Sequence, residues 1–279
     1  MASDLPKFFH LHLISDATGE TLSAVAKAAI VQYSQVRSIE HVHSLVRTKR
    51  QLDRVLQEIE SAPGIVLYTI VNTELAESLE LHCQALKVPC VPVLGTIMQV
   101  FESYLGAPST PTVGGQHVLD AEYFRRIDAL NFTMAHDDGR LPDDLNDADI
   151  VIIGISRTSK TPTSIYLAQR GFKTTNIPLI PSIPLPPQLE KAKEVFVVGL
   201  VASADRISQV RRNRVLALAD RDLSEYVDRD LIEEEIAFTR RLCSRNGWPV
   251  IDVTRRSVEE TAAAILKQYH DKTAMAGSN

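Results

Sequence analysis

The stretch that most limits what this chain can fold into is Asp149-Ile150-Val151-Ile152-Ile153-Gly154-Ile155-Ser156-Arg157-Thr158-Ser159-Lys160-Thr161. A run of aliphatic, mostly β-branched residues between polar ones reads as a strand buried on both faces. A loop of small and polar residues follows, then Lys160-Thr161-Pro162, with proline where a first helical turn tolerates it and Gly171 as a stop. Strand, loop, Lys-Thr and helix is the layout of a phosphate-binding loop. In such a loop the backbone N–H groups of Gly154, Ile155, Ser156, Arg157, Thr158, Ser159, Lys160 and Thr161 would cradle phosphates. Lys160 would reach the phosphates and the Thr161 hydroxyl would hold Mg²⁺. Ser159 stands where the pattern G-x-x-x-x-G-K-[ST] has its second glycine, so a negative φ is expected there. A chance strand-to-helix turn could share the loop; the strand before it and the helix after it favour the phosphate reading.

The rest of the chain alternates strand and helix. Phe8 to Ile14, Ile39 to Val46, Ile65 to Val71 and Cys90 to Leu94 read as strands, with helices from Leu22, Thr48 and Asn72 between them. Leu52, Val55, Leu56 and Ile59 give the second helix a clear apolar face. Asp16-Ala17-Thr18-Gly19-Glu20-Thr21 falls where a strand turns into a helix, which suits either a ligand or a simple cap. His10/His12 and His41/His43 each share a strand face; hydrogen-bonded histidines are the commoner outcome and a metal site the rarer one. Gly106 to Gly115 marks a linker, and Asp120 opens a helix with Tyr123, Ile127, Leu130 and Met134 on one face, ending near Gly139. At that helix's C-terminal end His136-Asp137-Asp138-Gly139 sets carboxylates against the dipole, which hints at function. Asp143, Asp144, Asp147 and Asp149 read as an exposed acidic connector. Beyond Gly171, a strand from Thr174 leads into a proline-rich crossover, then Val195 to Val201 forms a second buried strand. Asp205 follows it, where a Walker-B-like carboxylate could meet Mg²⁺ beside Thr161, and Arg206, Arg211, Arg212 and Arg214 offer a phosphate clamp. A helix from Asp230, a strand at Val250 to Val253 and a helix from Val258 close the chain.

Repeated strand–helix units imply an α/β fold of two layers with mostly parallel sheets, the C-terminal one P-loop kinase-like. The expected divisions are an N-terminal α/β domain at 1–106, a linker and connecting helix at 107–148, a nucleotide-binding domain at 149–272 and a frayed tail at 273–279. A net charge of −5 argues against nucleic acid as a partner. Cys83, Cys90 and Cys243 show no metal spacing and fit a reducing cytoplasm, and no run approaches the ~20 apolar residues of a membrane span.

Gly154 to Ser164, together with Ile14 to Thr21, Tyr123-Phe124-Arg125-Arg126-Ile127 and His136 to Gly139, resembles the bacterial pyruvate, phosphate dikinase regulatory proteins, also known as phosphoenolpyruvate synthase regulatory proteins. The resemblance runs from residue 14 to about 260, and departs at Ser159, where many members have glycine. It implies a bifunctional enzyme that phosphorylates a threonine of the dikinase with ADP and removes that phosphate by phosphorolysis, releasing pyrophosphate. A cytoplasmic homodimer is expected, and phosphoryl transfer would have Lys160, Arg157 and Mg²⁺ held by Thr161 neutralise charge while Asp137 or Asp138 orients the nucleophile. The same chemistry on phosphoenolpyruvate synthase, a small-molecule P-loop kinase and a nucleotide-gated binding module are the alternatives.

Overall fold

The computed structural model describes residues 8–110, 112–115, 121–143, 145–192, 195–218 and 225–276. It divides into two compact units, 1–118 and 119–279. Each is a parallel four-stranded sheet with helices between its strands.

In the first unit the strands are β1 (Phe8–Ser15), β2 (Arg37–His43), β3 (Gly64–Thr69) and β4 (Cys90–Pro92), in the order β2-β1-β3-β4. The helices are α1 (Glu20–Ile30), α2 (Lys49–Ser61), α3 (Thr73–Leu86) and α4 (Gly95–Leu105). Thr48 caps α2 in a reciprocal box with Gln51, and Leu52, Val55, Leu56 and Ile59 are the residues it buries. Asn72 caps α3 by accepting the Leu75 N–H. The histidines pair across the strands: His10 Nδ1 lies 2.8 Å from His41 Nε2, and His12 Nδ1 lies 3.4 Å from His43 Nε2. No group of three or more His, Cys, Asp or Glu able to hold a metal occurs among the described residues.

Helix α4 has no counterpart in the sequence expectations. It buries none of its residues and leaves Ile97, Val100, Phe101, Tyr104 and Leu105 exposed. With no buried stripe to mark its period, a helix rich in β-branched and aromatic residues escapes pattern reading.

The second unit holds α5 (Ala121–Ala135), β5 (Ile150–Gly154), α6 (Lys160–Ala168), β6 (Thr174–Pro178), α7 (Pro187–Lys191), β7 (Phe196–Val201), α8 (Ala204–Leu218), α9 (Arg229–Asn246), β8 (Val250–Asp252) and α10 (Val258–Ala276). The order is β6-β5-β7-β8, all parallel. Every residue of β5 and β7 is buried, as unbroken aliphatic runs between two helical layers require. Fully burying each of Ile150, Ile152 and Ile153 stabilises the unit by about 1.5–3 kcal/mol.

Several expectations need correcting. Helix α5 buries Ala129 and Thr133 and packs Phe132 against the core, whereas Ile127 and Met134 are exposed. The proline-rich crossover contains α7. Helix α10 continues to Ala276, so residues 273–276 are helical rather than frayed; 277–279, like Asp120 and Asp144, lie outside the described residues. Asp149 is not merely part of an exposed connector, since its Oδ2 accepts the Lys173 N–H at 2.8 Å. Among the described residues no helix is long and apolar enough to cross a membrane.

Candidate functional site

The turn from β5 to α6 begins at Gly154, where a glycine is required. A Cβ there would sit 2.6 Å from the Leu200 carbonyl oxygen of β7, closer than any real contact. The loop then closes on one carbonyl. Ile155 O accepts the Thr158 hydroxyl at 2.9 Å and the Lys160 ammonium at 3.0 Å. Thr158 is fully buried and Lys160 is 7% exposed. Burial pushes the Lys160 ammonium down to about 8, against the opposing pull of Asp138 and Asp137.

Ser159 overturns its expectation: its φ is +61°, and it caps α6 without a side-chain hydrogen bond. Arg157 is also left-handed, at +71°. The chain must reverse sharply from buried strand to helix, and that geometry overrides the preference of L-residues for negative φ. Ser159→Gly should therefore raise stability by about 0.5–1 kcal/mol in urea unfolding and leave anion binding intact. A destabilised Ser159→Gly would show that the serine side chain holds something the geometry does not reveal.

Asp137-Asp138-Gly139-Arg140 forms a tight turn just past α5. Asp138 and Gly139 have φ of +54° and +85°, and Arg140 N–H donates to Asp137 O at 3.2 Å. Two left-handed central residues make it a type I′ turn, for which Asp-Gly is well suited. Asn176, fully buried in β6, anchors it. Its Oδ1 accepts the Asp138 N–H, its backbone carbonyl accepts the Gly139 N–H, and its Nδ2 donates to Asp137 Oδ1. The Thr161 hydroxyl donates to the same Asp137 oxygen at 3.0 Å. These donors offset the unfavourable helix-end position of the carboxylate. The Asp138 carboxylate accepts no hydrogen bond and enters no ion pair among the described residues, and it is the largest charge holding the Lys160 ammonium up.

On the other flank Tyr226 meets the loop. Its hydroxyl lies 3.1 Å from Ser156 Oγ and accepts Arg157 Nε at 3.3 Å. Burial alone would raise its phenol, but the Ser156 and Arg157 hydrogen bonds and the charges of Arg157 and Arg211 bring it below its ordinary value. Arg211 lies over the Tyr226 ring at 4.5 Å, donates to Tyr226 O and pairs with Glu235 Oε2 at 2.6 Å. Of the arginine cluster, then, only Arg211 is buried, and it is spent on Tyr226 and Glu235; Arg206, Arg212 and Arg214 are exposed. The expected pairing of Thr161 with Asp205 is not made. Asp205, in the first turn of α8 where the dipole favours it, is 76% exposed and pairs with Arg229 at 3.4 Å. The carboxylate at Thr161 is that of Asp137.

Asn176 and Tyr226 went unnoticed in the sequence. A fully buried asparagine in the strand Thr174–Pro178 was the available signal, because a buried amide demands partners.

The profile of the kinase/pyrophosphorylase family matches residues 11–266. The chain belongs to the kinase/pyrophosphorylase family. Proteins provisionally named pyruvate, phosphate dikinase regulatory protein align along nearly its whole length. One from Chelativorans sp. is 62% identical over 259 residues, covering 93% of this chain and 95% of the relative. One from Bradyrhizobium diazoefficiens is 56% identical over 266 residues, covering 95% of each. One from Sinorhizobium fredii is 59% identical over 260 residues, covering 93% and 95%. Membership of the kinase/pyrophosphorylase family makes this chain a phosphotransferase-type enzyme.

Proposed function

We propose that the chain is a bifunctional regulator of pyruvate, phosphate dikinase, an ADP-dependent protein serine/threonine kinase and phosphate-dependent phosphorylase working through one site. The observation that carries this reading is the Thr161–Asp137 contact at 3.0 Å beside the buried Lys160. One loop that holds the diphosphate of ADP also fits a pyrophosphate product, so a single cradle serves both directions. In the kinase direction the target threonine oxygen bonds to the β-phosphorus of ADP, AMP leaves, and the threonine proton passes to a carboxylate. In the phosphorylase direction a phosphate oxygen bonds to the phosphothreonine phosphorus, the threonine oxygen leaves and regains a proton, and pyrophosphate forms.

Loose phosphoryl transfer asks for positioning and neutralised charge. Lys160, released from Ile155 O, and Arg157, released from Tyr226, supply the cations. Asp138 takes and returns the proton, its carboxylate being the untied one of the pair. The Thr161 hydroxyl and the Asp137 carboxylate form a hard-oxygen pair suited to Mg²⁺, which when bound would neutralise phosphate charge there. The enzyme works in the cytoplasm as a homodimer, a state supported by the uncovered apolar side chains of α4. The test is incubation with the dikinase, and separately with phosphoenolpyruvate synthase, plus β-labelled ADP, followed by phosphosite mapping. Label on a dikinase threonine is expected; label only on a small metabolite would overturn the reading.

Lys160 also gives a pH signature. Its folded value of about 8 lies below its ordinary 10.5, so folding favours the neutral amine and this group's contribution to stability rises between those two pH values. A bound phosphate favours the ammonium instead. Pyrophosphate binding at pH 8.5 should therefore take up a proton, and affinity should weaken as pH climbs past 8. Calorimetry in two buffers of different ionisation enthalpy measures the uptake; none would mean that Lys160 does not reach the anion.

A further inference from the structure

Four histidines cross-link the first two strands of the first unit. His10 and His12 share one face of β1, and His41 and His43 share the matching face of β2. They form one continuous ladder. His10 Nδ1 lies 2.8 Å from His41 Nε2, the His41 ring stacks on His12 at 4.6 Å, and His12 Nδ1 lies 3.4 Å from His43 Nε2. Strand β2 is at the sheet edge and none of its residues is buried, so apolar burial adds little to its backbone pairing with β1.

The hydrogen bonds fix where the protons sit. His12 is fully buried, and its Nε2 lies 2.9 Å from Ala62 O just past α2. A carbonyl oxygen only accepts, so that nitrogen carries the proton and Nδ1 is left to accept from His43. A further proton on His12 would turn N–H against N–H. Between His10 and His41, too, one nitrogen has to stay bare. The folded ladder therefore takes up at most two of the four protons that four unfolded histidines bind in acid. Burial above all pushes the His12 and His43 imidazoles below their ordinary 6.5, and the neighbouring rings add to it. The opposing pull comes from Ala62 O at His12 and from Glu58 of α2, whose Oε2 lies 3.9 Å from His43 Nδ1. Glu60 of α2 pairs with His82 of α3, Glu80 of α3 takes the Tyr68 hydroxyl, and Arg37 lies at the exposed start of β2.

Release of β2 would not stay local. The residues just past it hold the turn after β1 through four hydrogen bonds of 2.8–3.0 Å: Leu45 N–H to Ala17 O, Val46 N–H to Ser15 O, Ser44 Oγ to Thr18 O and Arg47 Nε to Asp16 O. We propose that the histidine ladder is an acid-operated latch, in which uptake of a third proton parts β2 from β1 and frees the turn at 15–18. Because the folded chain binds fewer protons than the open one, the latch is firm above pH 6.5 and weakens as pH falls below it. A difference of two protons makes that weakening as steep as about a hundredfold per pH unit. The latch is separate from the 154–161 loop and stands or falls independently of the phosphoryl-transfer reading.

The test is amide hydrogen exchange on the full chain at pH 7.5 and pH 5.5, with rates corrected for the intrinsic effect of pH. Protection of the amides at 39–46 should fall by at least about tenfold at the lower pH, while those at 150–153 keep theirs. Imidazole ¹⁵N spectra at pH 7.5 should show His12 protonated on Nε2 alone. The double variant His41→Gln, His43→Gln retains amide donors without adding charge, and its protection at 39–46 should no longer depend on pH. His10→Gln lifts the conflict in one pair only, so its pH-dependent loss should shrink severalfold; it serves if the double variant does not fold. Protection at 39–46 that ignores pH, loss shared equally by 150–153, or loss undiminished in the variants would each overturn the proposal. So would all four histidines titrating near 6.5 with both strands intact.

Discussion

Lys160→Ala is expected to abolish both phosphorylation of the dikinase and phosphorolysis of the phosphorylated form, each by about 10²–10³-fold in turnover. In the proposed mechanism the same ammonium neutralises the diphosphate of ADP in one direction and the forming pyrophosphate in the other. The variant should not fail by unfolding. Lys160 is 7% exposed and carries its charge at a desolvation cost, so a neutral side chain relieves the fold of that cost and frees Ile155 O, which keeps the Thr158 hydroxyl. Circular dichroism and urea unfolding separate the two causes. Lys160→Arg makes a useful companion, since it keeps the charge but not the compact ammonium that reaches Ile155 O. Survival of phosphorolysis in Lys160→Ala while kinase activity disappears would mean that two cradles, not one, carry the two reactions.

Much of the scaffold was legible because it rests on local rules. The aliphatic runs at 150–153 and 195–201 allow only strands buried on both faces, and Leu52, Val55, Leu56 and Ile59 allow only a helix packed along one side. Errors came where packing overrode local pattern. Helix α5 turns Ala129, Thr133 and part of Phe132 inward and leaves Ile127 and Met134 exposed, so the large apolar residues at 127 and 134 did not mark the buried face. Helix α4 has no inward face to find. At the site, the loop and its lysine could be read from spacing, but their partners could not. Tyr226 reaches Ser156 across seventy positions and Asn176 reaches Asp137 across thirty-nine, and no periodicity records such contacts. Ser159 was misjudged for a related reason: a side chain's backbone preference is worth about 1–2 kcal/mol, less than the surrounding strand and helix can impose.

The acidic turn is where two adjacent carboxylates should part in function. Asp137 is tied by the Thr161 hydroxyl and the Asn176 amide, whereas Asp138 is held only by its backbone and leaves its carboxylate beside Lys160. Asp138→Asn should therefore lose turnover in both directions by about 10²–10⁴-fold, the usual worth of a positioned acid–base group, while ADP affinity stays near that of the parent protein. Asp137→Asn should act differently. An amide cannot replace the carboxylate toward both Thr161 Oγ1 and Asn176 Nδ2 without turning one donor on another. The loss should then appear in Mg²⁺ dependence and nucleotide affinity as well as turnover, with some cost to stability. Single-turnover assays over a range of Mg²⁺, with separate ADP titrations, resolve the two patterns. If Asp138→Asn kept full turnover and Asp137→Asn lost it at unchanged Mg²⁺ requirement, the base would be Asp137 and the roles would reverse. Full activity in both variants would reduce the turn to a scaffold for Asn176, and the proton acceptor would have to come from the target protein itself.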